Sequence, residues 1–192
     1  RTYFNHIYLD VTAVPDFKDS KEAQALYDSP EYTEKRRKAQ DTVDVDYTSA
    51  FELKNPILDK CFDTFEKSAS PERRAAFETF KAEGGKRLED FATWQALSDH
   101  FSKADPKSFD WRDWPKEYQD PTPEVQAFKE QNKKQVEKYT YLQWETLRQM
   151  ENVQDVCHNN GMKVGLYTDI AVAQNAGAVS VLVLSGETTA DM

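Results

Sequence analysis

Pro123-Glu124-Val125-Gln126-Ala127-Phe128-Lys129-Glu130-Gln131 opens a run that continues to Gln154-Asp155-Val156-Cys157-His158 and closes on Asn159-Asn160-Gly161. Within it Val125, Phe128, Val136, Tyr139, Gln143, Leu147, Met150 and Val153 fall along one side at helical spacing. Proline at the start and glycine just past the end punctuate a helix in the expected order. A stripe of this kind normally packs a core, so the body of the chain is expected to be helical.

Upstream the same pattern recurs. Ser70-Pro71-Glu72 combines an N-cap hydroxyl, a proline at the first helical position and a carboxylate facing the positive end of the helix. Phe77, Phe80, Leu88, Phe91, Trp94 and Leu97 then form an apolar face, and Gly84-Gly85 marks a kink or a close helix–helix approach. Phe51, Leu53, Leu58, Phe62 and Phe65 follow helical spacing around Pro56, after a connector at Thr42–Tyr47. Before that, Ser20–Tyr27 and Glu31–Gln40 read as helices separated at Ser29-Pro30. The aromatic and β-branched opening, Tyr3 to Val11, suits a short strand or extended segment. Between Lys103 and Pro123 helical periodicity lapses into a proline-punctuated loop carrying Trp111, Trp114 and Tyr118. Loops of that length usually carry a function.

After Gly161 the texture changes. Met162–Tyr167 and Val179–Leu184 are short apolar runs of the kind found in buried parallel strands, with room for a short helix at Ile170–Ala178. The expected fold class is therefore α+β, mainly helical: a helical domain over residues 1–160 and a strand-helix-strand tail over 161–192.

The 192 residues include 39% hydrophobic and 12% aromatic side chains, enough for one or two ordinary cores. A net charge of −9 repels phosphate backbones and anionic surfaces, so neither nucleic acid nor membrane is an expected partner, whereas a neutral ligand such as a sugar is compatible. No apolar run approaches the roughly 20 residues of a membrane span. The opening Arg1-Thr2-Tyr3-Phe4 lacks the form of a signal peptide, and the missing initiator Met suggests a fragment or processed product. Cys61 and Cys157 share no metal-ligand spacing, and two reduced thiols in a cytoplasmic protein are expected. His6, His100 and His158 share none either, so no metal or other cofactor is expected.

Several stretches, taken in order, resemble the bacterial 4-α-glucanotransferase (amylomaltase) family. Phe4-Asn5-His6-Ile7-Tyr8-Leu9-Asp10-Val11 resembles the family's Asn-Pro-x-Tyr-Ile-Asp-Val run, with His6 where proline is common. Val45-Asp46-Tyr47, Phe91–Leu97, the Trp111-x-x-Trp114-Pro115 loop and Tyr141-Leu142-Gln143-Trp144 continue in family order. Gly161 to Val172 is the most specific, resembling a barrel strand that ends in Leu-Tyr-x-Asp-Leu-Ala-Val. The resemblance covers residues 1–172. It implies a helical insertion in a (β/α)8 barrel enzyme that transfers α-1,4-glucan segments, or maltodextrins, by the retaining two-carboxylate route. The family's nucleophilic Asp and acid/base Glu lie downstream of the Leu-Tyr-x-Asp strand, so no catalytic residue is assigned in this chain. It is expected to be inactive alone, with the barrel incomplete.

Beyond that strand, Thr168 to Met192 resembles instead the Thr-Asp-Ile-x-x-Ala-x-x-Ala-Gly and Val-Leu-Val-Leu-Ser-Gly segments of NagD-like phosphatases of the haloacid dehalogenase superfamily. The overlap at Thr168-Asp169-Ile170-Ala171 suggests a chimera. The phosphatase's metal-binding Gly-Asp pair falls on Lys163-Val164 and its Asp-x-Asp-Gly motif is missing, so phosphatase chemistry is disfavoured. A non-catalytic helical scaffold is the alternative from a different class.

Three residues are candidate sugar contacts. The resemblance places Asp169 at the end of a barrel strand, where it would hydrogen-bond sugar hydroxyls; as an ordinary Asp it would cap the next helix. Trp111 and Trp114 offer flat faces that suit sugar rings, although aromatic anchors more often fasten a long loop to its domain. Unpaired strand edges at Lys163–Val172 and Val179–Leu184 would invite self-association, which a monodisperse monomer in sedimentation velocity would contradict.

Overall fold

The structure, a computed structural model, describes residues 3–105 and 110–167. They form α1 (Pro15–Asp19), α2 (Lys21–Tyr27), α3 (Pro30–Gln40), α4 (Tyr47–Ser68), α5 (Pro71–Ala104), α6 (Pro123–Gln131) and α7 (Lys133–Asn159), with 3-10 turns at His6–Tyr8, Val11–Ala13, Trp111–Asp113 and Lys116–Tyr118. The chain packs as two units. One comprises residues 3–77 together with Tyr141–Met162, and the other is built on Glu78–Thr140, so α5 and α7 each supply residues to both.

Helix starts follow the local chemistry. Ser20, Ser29, Asp46, Ser70 and Thr122 each accept, through a side-chain oxygen, the backbone N–H three residues ahead at 3.0–3.3 Å. Pro30, Pro71 and Pro123 stand at first helical positions, where a missing N–H costs nothing. Gly161, at φ 83°, closes α7: its N–H reaches the His158 carbonyl at 2.9 Å and that of Met162 reaches Cys157 at 3.1 Å. This double bond pattern at a left-handed glycine satisfies the last carbonyls.

The single helix expected from Pro123 to His158 is two helices. Asn132 leaves the helical region (φ −117°, ψ 32°), and its side-chain amide donates to the Phe128 carbonyl at 2.9 Å. An Asn side chain competes with the backbone for such partners, which is why it ends α6. α5 breaks where two glycines mark it: Gly85 adopts φ 54°, ψ −148°. A Cβ at Gly84 would sit 2.4 Å from Leu88 Cδ2, so Gly84 has no room for a side chain, while at Gly85 it is the backbone conformation that excludes one.

Unit 1 is built on aromatic packing between α4, α5 and α7. The Phe65 ring lies 5.1 Å from both Phe77 and Tyr141, and Phe62 lies 5.3 Å from Tyr141. Ile57, Leu58 and Cys61 fill the same buried side of α4. Unit 2 buries Leu88, Phe91, Trp94 and Leu97 of α5 with Val125, Phe128, Val136 and Tyr139.

Two expectations are corrected. The opening segment is not a strand but two 3-10 turns, because Asn5 and Asp10 cap them by accepting from Ile7 and Thr12 at 3.0 and 2.9 Å. Its remaining backbone groups find partners on helices instead of on a neighbouring strand. Gln143 accepts from Phe4 N–H at 3.1 Å and donates to Phe4 C=O at 2.5 Å; Gln149 does the same for Asp10, at 2.9 Å both ways. Lys54 Nζ donates to the carbonyls of Ile7 and Leu9.

The second correction concerns the fold class. The described residues are all-α, with no strand among them, so the expected α+β class does not hold. Met162–Tyr167, expected as the first strand of a strand-helix-strand tail, is irregular, and Val164 and Tyr167 are 71% and 85% exposed. Gly165 at φ 74°, a left-handed conformation, breaks the extended run. The strand edge expected to drive self-association is therefore not formed at residues 163–167. Ile170–Ala178 and Val179–Leu184, expected as helix and second strand, lie outside the described residues.

Replacing Gly85 by Ala is expected to lower stability by about 1–3 kcal/mol, because Ala cannot hold that backbone conformation without strain. Urea unfolding followed by circular dichroism measures this; an unchanged midpoint would show that the kink is not stabilised by its surroundings.

Candidate functional site

In unit 1, charged groups converge in the core. Asp16 sits in the first turn of α1, Arg73 in the first turn of α5, and Tyr141 and Glu145 one turn apart on α7. The guanidinium of Arg73 donates from Nε to Asp16 Oδ1 at 3.2 Å, to Asp16 Oδ2, and to Glu145 Oε1 at 2.8 Å. Tyr141 donates its hydroxyl proton to Asp16 Oδ2 at 2.7 Å. Arg148 donates to Glu145 Oε2 at 3.0 Å and to the Ala13 carbonyl at 2.8 Å. Arg73 also lies over the Trp144 ring at 4.6 Å and near Phe65 at 5.4 Å, which adds cation–π attraction. The carboxylate side chains are 5% and 0% exposed for Asp16 and Glu145.

Burial alone would lower the Arg73 pKa, but the bonds to Asp16 and the charge and bonds of Glu145 outweigh it and raise it. Burial first, then the Asp16 and Glu145 charges, push the Tyr141 hydroxyl upward. The same order of causes pushes the Cys61 thiol from 9.0 to about 12. All four carboxylate oxygens hold donors from within the unit, so the cluster has the character of a lock between α1, α5 and α7. Among the described residues, no group of three His, Cys, Asp or Glu side chains is arranged to hold a metal ion. His6 packs on Phe51 at 5.3 Å and shares a 3.2 Å hydrogen bond with Asn55, and His100 packs against Phe101 and Phe128.

The aromatic loop belongs to unit 2. Trp114 is 3% exposed, nearly parallel to Trp94 at 5.8 Å (21° between planes) and 5.2 Å from Phe101. Tyr118 joins this group edge-on, 5.3 Å from Phe101. Gln119 ties the loop to itself, donating to the carbonyls of Trp114 at 2.7 Å and Arg112 at 2.9 Å. Trp111 is only partly buried and stands in the 3-10 turn capped by Asp110, which accepts from Arg112 N–H at 3.0 Å. Trp111 and Trp114 are thus in one loop but in different environments: the Trp114 ring is packed into the unit, while Trp111 is partly exposed. Asp169 lies outside the described residues.

Unit 2 also carries a concavity of ≈ 430 Å³ between α5, α6 and α7, which sequence reasoning did not find. Leu88 and Val136 form its apolar part, and the kinked backbone at Gly85 opens onto it. The only signal in the sequence was the Gly84-Gly85 pair, which spoiled helix continuity where the concavity lies.

Two measurements test the buried cluster. Tyr141→Phe removes one of the two donors to Asp16 Oδ2, with Arg73 remaining, and is expected to cost about 1.5–3 kcal/mol in chemical unfolding, as for a hydrogen bond to a charged group. Cys61 and Tyr141 hold their protons more tightly folded than unfolded, so stability is full below the ordinary thiol value near 9.0 and is lost as pH rises towards about 12. A pH series of urea midpoints should therefore fall above pH 9, and Ellman's reagent at pH 8 should modify Cys157 in the native chain and Cys61 only after unfolding; native labelling of Cys61 would contradict its burial.

Comparison with known proteins bears on both units. The 4-alpha-glucanotransferase family matches residues 1–185, running past Thr168, where the phosphatase resemblance begins. A 4-alpha-glucanotransferase from Haemophilus influenzae is 29% identical over 190 residues, covering 94% of this chain and 27% of that protein. Those from Mycobacterium bovis and Mycobacterium tuberculosis are each 30% identical over 173 residues, covering 90% of this chain and 22% of theirs. The chain thus spans about a quarter of the length of the curated relatives it matches. With nearly its whole length matched, the chain belongs to the 4-alpha-glucanotransferase family.

Proposed function

We propose that this chain is a helical part of an enzyme that transfers α-1,4-glucan segments between maltodextrins in the cytoplasm, and that it supports the site without performing the chemistry. The observation that carries the proposal is the family match over residues 1–185. In the retaining route a carboxylate attacks the anomeric carbon while a carboxylic acid protonates the departing glycosidic oxygen. The hydroxyl of an acceptor glucan then displaces the enzyme carboxylate and gives its proton back to the second group. Both groups belong to segments that the resemblance places after the Leu-Tyr-x-Asp run.

Within this proposal Trp111 and Asp169 are the sugar contacts, with Trp114 holding the loop that presents Trp111. The net charge of −9 repels anionic ligands and leaves a neutral substrate, whose hydroxyl groups can pair with the many donors and acceptors on the helices, compatible. The extension of the family match to residue 185 favours one origin for the whole chain over a phosphatase splice.

Incubation of the chain with maltotriose, followed by chromatography of the products, is expected to show no redistribution of glucose units. Tryptophan fluorescence should change saturably with maltoheptaose and not with glucose, and Trp111→Ala should abolish the change. Release of glucose together with longer oligosaccharides would place the chemistry in this chain and overturn the supporting role; a flat titration at millimolar maltoheptaose would remove the sugar contact.

A further inference from the structure

We propose that the ≈ 430 Å³ concavity of unit 2 binds a glucose unit of an α-glucan, an assignment that rests on the glucan-processing role given above. Its volume lies in the lower part of the roughly 300–1,000 Å³ range of small-ligand sites. The chemistry of its lining selects the class of ligand. Three lysines and three glutamates border it, and they are matched: Lys81 with Glu137 at 3.0 Å, Lys129 with Glu89 at 3.1 Å, Lys133 with Glu130 at 2.7 Å. The charges cancel, so a phosphate finds no surplus cation and a polyamine no surplus anion. Each partnered ammonium and carboxylate keeps further hydrogen-bonding capacity, which a ring bearing several hydroxyls can use as both donor and acceptor.

The apolar part supplies the other half of sugar recognition. Leu88 and Val136 form its buried floor, and the methylene stems of Lys81, Lys129 and Lys133 supply the aliphatic surface against which the C–H face of a pyranose can lie. At Gly85 a Cβ would meet nothing within 4 Å, so the backbone there is open on the side a ligand would approach. The lining contains no aromatic ring, which sets the expected affinity at about millimolar rather than micromolar.

The test is a titration of the 15N-labelled full chain with maltose, following backbone amide shifts. Saturable shifts at Gly85, Val136 and Thr140 with a millimolar constant are expected. Glu130→Gln combined with Lys133→Met, which removes one exposed pair together, should weaken binding about five-fold and leave the unfolding midpoint unchanged. Sorbitol should bind several-fold more weakly than maltose, since it has the hydroxyls without the ring. Shifts at these amides with inorganic phosphate but not maltose would overturn the assignment and make the concavity an anion site. Equal binding of sorbitol and maltose would overturn the glucan specificity. A maltoheptaose response at Trp111 with no maltose shifts in the concavity would sink this inference while leaving the glucan role standing.

Discussion

Arg73 is the group on which unit 1 depends. It emerges from the first turn of α5, bonds to Asp16 of α1 and Glu145 of α7, and spreads its guanidinium over Trp144 and Phe65. Withdrawing two carboxylates and a guanidinium from water costs several kcal/mol per ion, and only good geometry with full hydrogen bonding offsets it. That is the condition met here, with Tyr141 and Arg148 taking the remaining carboxylate positions. The planar fork between two carboxylates ties α1, α5 and α7 together through directional bonds.

The two units use different means of holding irregular backbone. In unit 1 the segment from Phe4 to Leu9 is held by side-chain amides and the Lys54 ammonium standing in for a neighbouring strand. In unit 2 the loop around Trp114 is held by aromatic packing and by the Gln119 amide. Both devices fix long non-helical stretches against helices without a sheet among the described residues.

Helix positions were legible because their signals are local. Ser70-Pro71-Glu72, Ser29-Pro30, Gly84-Gly85 and Asn159-Asn160-Gly161 each carry a cap, a fixed φ or a left-handed residue, and the backbone obeys within one turn. The aromatic face of α5 was legible for the same reason. The opening segment and Met162–Tyr167 were misread because apolar, β-branched composition marks burial and extension, not a ladder; whether a strand forms depends on a neighbour that composition does not reveal. The buried charges were not legible either. Asp16, Arg73 and Glu145 look like solvent-facing residues of charged helices, and only tertiary packing makes them a core. Gln143 alone carried a hint, since it stood on an otherwise apolar stripe. Of the candidate site, the aromatic loop could be seen in the sequence, whereas the concavity beside Gly85 draws on three helices and has no linear signature.

The paired amides of Gln143 and Gln149 have a consequence for how the molecule is made. Each joins residues 139 positions apart. At a synthesis rate of about 5–20 residues per second, Phe4 and Asp10 emerge roughly 7–28 s before their partners exist. Closing so large a loop is slow, and until it closes Ile7, Leu9 and Val11 are apolar side chains without a surface to cover. The segment from Phe4 to Val11 therefore leaves the ribosome well before the helix that holds it, and it is placed only once α7 has arrived.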